Sequence, residues 1–523
     1  MDSLQKNILS ALNSIFSHRQ ISDNDKHILA TIEHETEKFD EATRQKFASE
    51  LLQRALPPDN PVPLYFFLYD CLKDIRLLER GLDFLPARLS LSLFYEVYWN
   101  ISQRVFTSTV GSAKIHRYLR AQFDDIRQDL NGFLAENGLG QFSPCGRVPK
   151  TIAIISPQLL NMRHSPTREA FSLALHLKRY HGCQVYIFNT NAMHYEGNNS
   201  LKLVSFSKYH ANLELKGAQT TRIDYLDFHE EVNIISFEPG LMTTQKIAGI
   251  LDTAAKLKVE AVIAHGENLL VMEALYKKLP SLFATTGVVV PFHHCDAYFV
   301  PGDLVNEHTL SQARQYQHTG EIMYEGMLVT PEGKAEQPLK REEFGLNETQ
   351  WLYLVVGTRL SAELTPGFIN VIEQTLEAQP DAVVIFAGTP QLSVDKIFSD
   401  HLLSAKRLLN IGFHQDLAGV SAMCDVYLNP HRNGGGTSGQ TAIINDLPIV
   451  TLNYGHVSTL IPNALRAQDW EDYFRQICLH RSPEHYAQVL RQTLSYFAQN
   501  SNARAQVERM YNRLCKIALT YSR

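Results

Sequence analysis

The chain has 523 residues, of which 44% are hydrophobic and 20% charged, with a formal net charge of −6. This profile excludes a disordered polar chain, and the negative balance argues against a general affinity for nucleic acid or for an anionic membrane surface. The length exceeds what one ordinary core supports, so two or three domains are expected. Seven cysteines (Cys71, Cys145, Cys183, Cys295, Cys424, Cys478 and Cys515) are scattered without a CxxC pair. That spacing speaks against a disulfide framework or a structural zinc site and fits a reducing compartment. The first residues, MDSLQKNILSALNSIF, do not read as a signal peptide, and no apolar run approaches the ~18 residues of a spanning helix. The expectation is a cytoplasmic protein with no membrane insertion.

Residues 1–145 read as an all-helical domain. Leu4, Ile8, Leu12 and Ile15 recur at helical spacing, as do Phe47, Leu51, Leu52 and Leu56, and prolines at 57, 58, 61, 63 and 86 punctuate the pattern. Such a layer serves as scaffold or as a surface for a partner protein. A linker-like stretch over 138–150 then gives way to alternating β and α segments. Strands are expected at Thr151–Ser156, Val185–Phe188, Val232–Phe237, Ala261–Ala264, Ser281–Ala284 and Ala297–Val300, with a helix starting near Thr167. This second domain spans 150–335. After a polar linker a third domain, 345–480, repeats the alternation. Its expected strands are Leu352–Val356, Val383–Ala387, Leu409–Phe413, Asp425–Leu428 and Ile449–Leu452, with a helix at Pro366–Ala378. Residues 482–523 read as closing helices. Alternating units of this kind build parallel sheets, which bind ligands at the carboxyl ends of their strands.

The most informative stretch is Asp425–Leu452. After the strand come Gly434, Gly435 and Gly436, then Thr437, Ser438 and Gly439, a helix-like segment led by Gln440, and another strand. Glycines let the backbone approach a bulky anion, and the amides at a helix start carry partial positive charge. Thr437 and Ser438 can cap that helix and offer hydroxyls to the same anion. A phosphate or diphosphate suits such a loop; the alternative is a tight strand-to-helix turn that binds nothing. His293, His294 and Asp296 lack the partner spacing of a metal site, and structural roles suit them better.

These residues resemble a family. Ile152–Ala170 (IAIISPQLLNMRHSPTREA), 288–301 (VVVPFHHCDAYFVP) and the 434–452 loop are similar to segments of the GT-B glycosyltransferases. Within that group they resemble the clan of O-linked N-acetylglucosamine transferase and the bacterial high-molecular-weight adhesin glycosyltransferases. The resemblance covers roughly 150–480 and implies an α/β fold. In it two doubly wound Rossmann-like domains face each other across a cleft, preceded here by an all-α domain. It also implies metal-independent, inverting transfer of a hexose from a nucleotide sugar, usually a UDP-sugar, with no cofactor. An adhesin-like protein acceptor is the first choice. On its pattern His164 is the catalytic candidate, deprotonating or positioning the acceptor, and a capping histidine is the alternative. His265 and Glu267 are acceptor-side candidates. Arg359, His414, Asp416, Gly435, Gly436, Thr437, Ser438, Gly439 and Gln440 are donor-side candidates. Arg359 alternatively forms a salt bridge with Glu363 at i+4. Two departures stand out: Thr441 occupies the place of a ribose-gripping carboxylate, and the place of a phosphate-contacting lysine falls near Ala362. The competing readings are a glycan- or capsule-extending transferase, a sugar-nucleotide isomerase, and a non-catalytic partner subunit.

Overall fold

The computed structural model describes residues 3–17, 22–53, 61–106, 112–142, 146–162, 164–193, 217–225, 228–266, 269–286, 291–301, 311, 313–325, 328, 333–388, 397–398, 402 and 406–521. The amino-terminal segment forms α1 (Ser3–Phe16), α2 (Asp23–Glu37), α3 (Glu41–Leu52), α4 (Pro61–Leu72), α5 (Ile75–Leu82), α6 (Leu91–Phe106) and α7 (Ala113–Glu136), with no strand among its described residues. Ser22, Asp40, Asp74 and Ser112 each accept a first-turn amide with the side chain, satisfying donors that a helix start leaves open. On α1, Ile8, Leu12 and Ile15 turn inward as their spacing requires, while Leu4 is exposed. Phe47 and Leu51 of α3 are buried, and Leu56 lies outside the described residues. These helices belong to a compact unit that takes in residues 1–139 and 238–251. Within it the Ser92 hydroxyl on α6 donates to the Met242 carbonyl at 3.3 Å.

The second compact unit takes in residues 140–190, 212–237 and 252–523 and carries two sheets. Its first half runs β1 (Thr151–Ser156), α8 (Ser165–His181), β2 (Gln184–Asn189), β3 (Gly217–Tyr225), β4 (Phe228–Ser236), then, after α9 (Thr244–Lys256), whose residues up to 251 belong to the first unit, β5 (Ala261–His265), α10 (Val271–Leu275), β6 (Ser281–Ala284), β7 (Ala297–Pro301) and β8 (Glu321–Glu325). The spatial order is β3-β4-β2-β1-β5-β6-β7-β8, parallel except for the β3–β4 hairpin. β1 is apolar and buried beyond its first residue, as a strand covered on both faces must be. Three expectations need correction. The strand expected over Val232–Phe237 starts at Phe228 and pairs antiparallel with β3, which the sequence reading passed over, as it did β8. β3 is a polar edge strand (GAQTTRIDY) and reads as loop, because only its last turns face the core. Finally, α8 begins at Ser165 rather than Thr167, which places Pro166 in the first turn, where its missing N–H costs nothing.

The second half runs β9 (Trp351–Val356), α11 (Leu360–Glu363), α12 (Pro366–Ala378), β10 (Ala382–Ala387), β11 (Leu408–Gly412), α13 (Leu417–Met423), β12 (Val426–Leu428), α14 (Gly436–Ile444), β13 (Ile449–Val450), α15 (Gly455–Ser458), α16 (Trp470–Leu479), α17 (Pro483–Asn500) and α18 (Ala503–Thr520). Its five strands are all parallel, in the order β11-β10-β9-β12-β13. Both sheets grow outward in two directions from their first strand. The connections therefore diverge between β1 and β5, and again between β9 and β12, and such divergence opens a crevice at the carboxyl ends. The last two helices span both halves. Leu494 and Phe497 of α17 pack on the second sheet. Val507, Met510, Tyr511, Leu514 and Ile517 of α18 join the core of the first.

One stability consequence follows from α16. His480 at its carboxyl end is 2% exposed; Nδ1 lies 2.7 Å from the Gln476 carbonyl, and Nε2 has no partner among the described residues. Burial pushes its pKa down from 6.5 to about 4, with the neighbouring His485 adding to the effect. The unfolded chain therefore binds this proton first, so stability is intact above pH 6.5 and is lost as pH falls towards 4. The full loss is on the order of 3 kcal/mol. Urea unfolding at pH 7 and pH 4.5 should show His480→Gln losing clearly less stability on acidification than the wild type.

Candidate active site

Arg359 follows β9 and the glycine loop follows β12, so the crevice of the second sheet lies between them. Gly435 is the residue before α14, with φ 81°. A side chain there would meet both the left-handed strain and the Arg432 guanidinium, which lies directly against it. Arg432 was not singled out from the sequence, and it underlies the whole loop. It is 5% exposed, and each part of its fork is used. Nε donates to Asn429 Oδ1 at 3.0 Å, Nη1 to Glu363 Oε2 at 2.8 Å, and Nη2 to the Tyr427 hydroxyl at 2.8 Å. Tyr427 in turn lies 2.9 Å from Ser438 Oγ.

Glu363 divides its carboxylate. Oε2 holds Arg432, and Oε1 lies 3.1 Å from Arg359 Nη2. The i+4 salt bridge at Arg359 is thus present, and it does not remove the guanidinium from the loop: a Cβ on Gly434 would stand 3.0 Å from Arg359 Nη2. Two guanidiniums around one carboxylate leave an excess positive charge beside the start of α14.

Thr437 and Ser438 do not cap α14, contrary to expectation; Gly435 is the N-cap, and among the described residues no side chain accepts a first-turn amide. Ser438 Oγ donates back to the Gly435 carbonyl at 2.8 Å. Thr437 Oγ1 donates at 2.9 Å to Ser165 Oγ, in the first turn of α8 on the other sheet. The amides of Gly436, Thr437 and Ser438 thus begin an uncapped helix, whereas the Gly439 amide already donates to the Gly435 carbonyl. Gly439 packs against Val457 and Leu460, and Gln440 is fully buried, so both seat the helix. Thr441, at the ribose-carboxylate place, donates its hydroxyl to the Thr437 carbonyl. Asp416 and His414 lie beyond β11, two strands from the crevice. Asp416 caps α13 through Gly419 N at 2.7 Å, and His414 Nδ1 lies 3.1 Å from the Asp416 carbonyl.

At the crevice of the first sheet, His164 follows β1 and His265 ends β5. His164 is the N-cap residue of α8, with Nδ1 3.0 Å from Thr167 Oγ1, which also accepts the Leu160 amide at 2.9 Å. His265 is 1% exposed and directs Nε2 towards Glu169 Oε2 at 3.4 Å. Glu267 lies outside the described residues. Glu169 and His456 were not found from the sequence, since one sits inside a helix and the other follows an ordinary strand. Glu169 is 6% exposed, with Oε1 3.3 Å from Ser165 Oγ. His456 on α15 has a shielded Nε2 with no partner among the described residues. Burial lowers its pKa; Glu169 opposes that shift and Arg359 adds to it, so His456 stands within the field of both. Among the described residues no cluster of three His, Cys, Asp or Glu side chains could hold a metal, the 293–296 stretch included.

The shared carboxylate gives a direct test. Glu363→Gln leaves Arg432 buried without its counter-charge and should cost about 3–5 kcal/mol in urea unfolding. A loss under about 1 kcal/mol would show that the pair does not organise the loop.

The chain matches no protein-family profile and no curated protein. Several solved structures are similar to it. A point mutant of the O-GlcNAc transferase of Thermobaculum terrenum covers 100% of both chains at 13% identity, with a TM-score of 0.55. A glycosyltransferase from Rickettsia africae covers 71% of this chain and 98% of its own at 10% identity, with a TM-score of 0.47. The pneumococcal O-GlcNAc transferase GtfA, solved with UDP and GlcNAc, covers 71% and 99% at 10% identity, with a TM-score of 0.46. With one parallel and one mostly parallel sheet whose crevices are linked through Ser165 and Thr437, and with helices preceding them in the sequence, this chain has the GT-B glycosyltransferase fold.

Proposed function

We propose that the protein is a metal-independent, inverting glycosyltransferase that moves a hexose from a UDP-sugar to a protein side chain. The observation that carries this reading is the uncapped start of α14 beside Arg359, at the crevice between β9 and β12. A departing diphosphate needs its charge met as it develops, and preorganised amides with a guanidinium supply that without a bound cation. The hydrogen bond from Thr437 to Ser165 brings this charge sink beside the histidines of the other sheet. A sugar bridging the two would present its anomeric carbon to an acceptor held or deprotonated at His164. The fold shared with the Thermobaculum terrenum O-GlcNAc transferase supports the same reading.

A protein acceptor, such as a bacterial adhesin, is preferred to a growing glycan or capsule polymer on the resemblance of the sequence. A non-catalytic partner subunit is favoured by one observation, the hydroxyl in place of a carboxylate at Thr441.

A thermal-shift panel of UDP, GDP, ADP and UDP-sugars tests the reading. UDP at a hundredfold excess over its Kd should stabilise the chain by about 2.7 kcal/mol. Arg359→Ala should weaken UDP binding about tenfold, or ~1.4 kcal/mol, with little effect on unfolding. Sugar transfer to peptide should persist in EDTA. Absence of any nucleotide effect, or a strict need for a divalent ion, would overturn the proposal.

A further inference from the structure

The eight-stranded sheet ends in β3, which pairs with β4 over nine residues without a bulge, from Gly217 opposite Ser236 to Tyr225 opposite Phe228. No strand among the described residues pairs with its other side. Which main-chain groups this leaves open follows from the alternation along β4. The Phe237 amide donates to the Asn189 carbonyl of β2 at 3.0 Å, so odd-numbered residues here face β2 and even-numbered ones face β3. The even residues of β4 stand opposite the odd residues of β3. The N–H and C=O groups of Ala218, Thr220, Arg222 and Asp224 therefore point away from the sheet, with no main-chain partner among the described residues. Long regular edges are commonly blunted by lysine, proline or a bulge, because such a row templates another strand. β3 has none of these, and its two charges, Arg222 and Asp224, meet each other at 3.3 Å. The open edge also leads to the crevice. Gly217, Ser236, Asn189 and Ser156 form one row of paired residues across β3, β4, β2 and β1. Ser156 ends β1, and the loop after it carries His164. Three strand spacings, about 14 Å, separate the Gly217 end of the edge from that point.

We propose, resting on the glycosyltransferase reading, that the outer edge of β3 is the docking site for a polypeptide acceptor. An extended segment of the acceptor adds as a further strand outside β3, and the residue to be glycosylated lies beyond that segment, at the crevice. Main-chain hydrogen bonds supply the affinity, as wherever a peptide extends a sheet edge. Antiparallel pairing is the stabler kind; it makes the segment run in the direction of β4, so its carboxyl end leaves beside Gly217. The modified residue then follows the docked segment by about four to six residues, at ~3.3 Å per extended residue. The flanking side chains define what fits. On the half nearest the crevice Ala218, Gln219, Thr220 and Thr221 are uncharged. Gln219 donates to Thr221 Oγ1 at 3.0 Å and Thr220 to Asn233 Oδ1 at 3.0 Å, so these polar groups are already occupied with one another. Farther out, the contact between Arg222 and Asp224 cancels their charge. The edge thus suits an uncharged, extended chain over a charged or helical one. A saccharide has no row of amides to offer it and gains nothing there.

The test uses the full chain, UDP-glucose and UDP-N-acetylglucosamine as donors, and two peptide probes. The long probe has about fourteen residues, alternating valine, glutamine and alanine up to a carboxyl-terminal Asn-Ser-Thr, and the short probe is that end alone. The long probe should show a KM about tenfold or more below the short one. Thr220→Pro and Ala218→Pro each remove an outward N–H without touching a bond to β4, a change that edge strands accommodate. Each should raise the long-probe KM about tenfold, the loss expected for one or two main-chain hydrogen bonds. The short-probe KM and the UDP-induced thermal shift should stay within about twofold of wild type. Should a variant fail to fold, N-methylation of the long probe at alternate amides gives the same readout on wild-type protein: one phase raises the KM and the other does not. Equal KM for the two probes, no effect of proline or N-methylation, or transfer to neither probe by a protein that binds UDP overturns the docking site and leaves the nucleotide-sugar reading standing. A wild-type dimer in sedimentation that Thr220→Pro converts to a monomer assigns the edge to a second copy and overturns it equally. If wild-type protein neither binds UDP nor releases it from either donor, the functional reading and this inference fall together.

Discussion

The buried pair of Arg432 and Glu363 sets the geometry on which the candidate site depends. A buried ion pair is by itself weak evidence for stability, because desolvating both charges offsets most of their attraction. Its value here is directional. Arg432 spends its fork on three fixed acceptors and so lies against Gly435, which only a glycine with positive φ can accommodate. Glu363 spends its second oxygen on Arg359. Loop shape, helix start and mouth guanidinium are thereby set by one carboxylate. The helix end contributes roughly +0.5 of an elementary charge, and the two arginines outnumber Glu363 on this sheet, while Glu169 opposes them from the other sheet through Ser165.

The link between the sheets is of a different kind. A hydroxyl-to-hydroxyl bond such as Thr437 to Ser165 contributes only about 1 kcal/mol. Such a bond is readily exchanged for one to a substrate oxygen. The rigid part of the site is therefore the glycine loop, over-determined by Arg432, Tyr427, Asn429 and Glu363, and the exchangeable part is the seam. Under the transferase reading, that division suits a reaction in which the donor binds to a prepared surface and the acceptor completes the arrangement.

Much of this was legible in the sequence, for physical reasons. Apolar strands such as Ile152–Ile155 and Val383–Phe386 must be buried on both faces, and they announce a parallel sheet. Gly434–Gly436 announces a close approach of backbone to something bulky. That bulk proved to be in part Arg432, a residue whose importance comes only from its burial. Glu363 appeared in the sequence as a partner for Arg359, but its second bond reaches 69 residues along the chain. Glu169 and His456 had no local signal, since their meaning lies in which helices the topology brings together. The polar strand β3 was missed because an edge strand carries no alternation strong enough to distinguish it from a loop.

The departures at the second sheet bear on how a nucleotide would be held. With a hydroxyl at Thr441, bonded back along α14, and Asp416 beyond β11, two strands from the crevice, neither puts a carboxylate at the crevice for ribose hydroxyls. Under the transferase reading, affinity would then rest mainly on the diphosphate, through first-turn amides and Arg359. Charge-assisted bonds of that kind discriminate by phosphate number more than by sugar or base. A nucleoside monophosphate, lacking the phosphate that reaches the mouth, would lose most of the interaction, while exchange of the base would cost less. The same reliance on charge makes binding sensitive to salt in proportion to the exposure of Arg359, whose side chain is 23% accessible, and insensitive at Arg432, which is sealed beneath the loop.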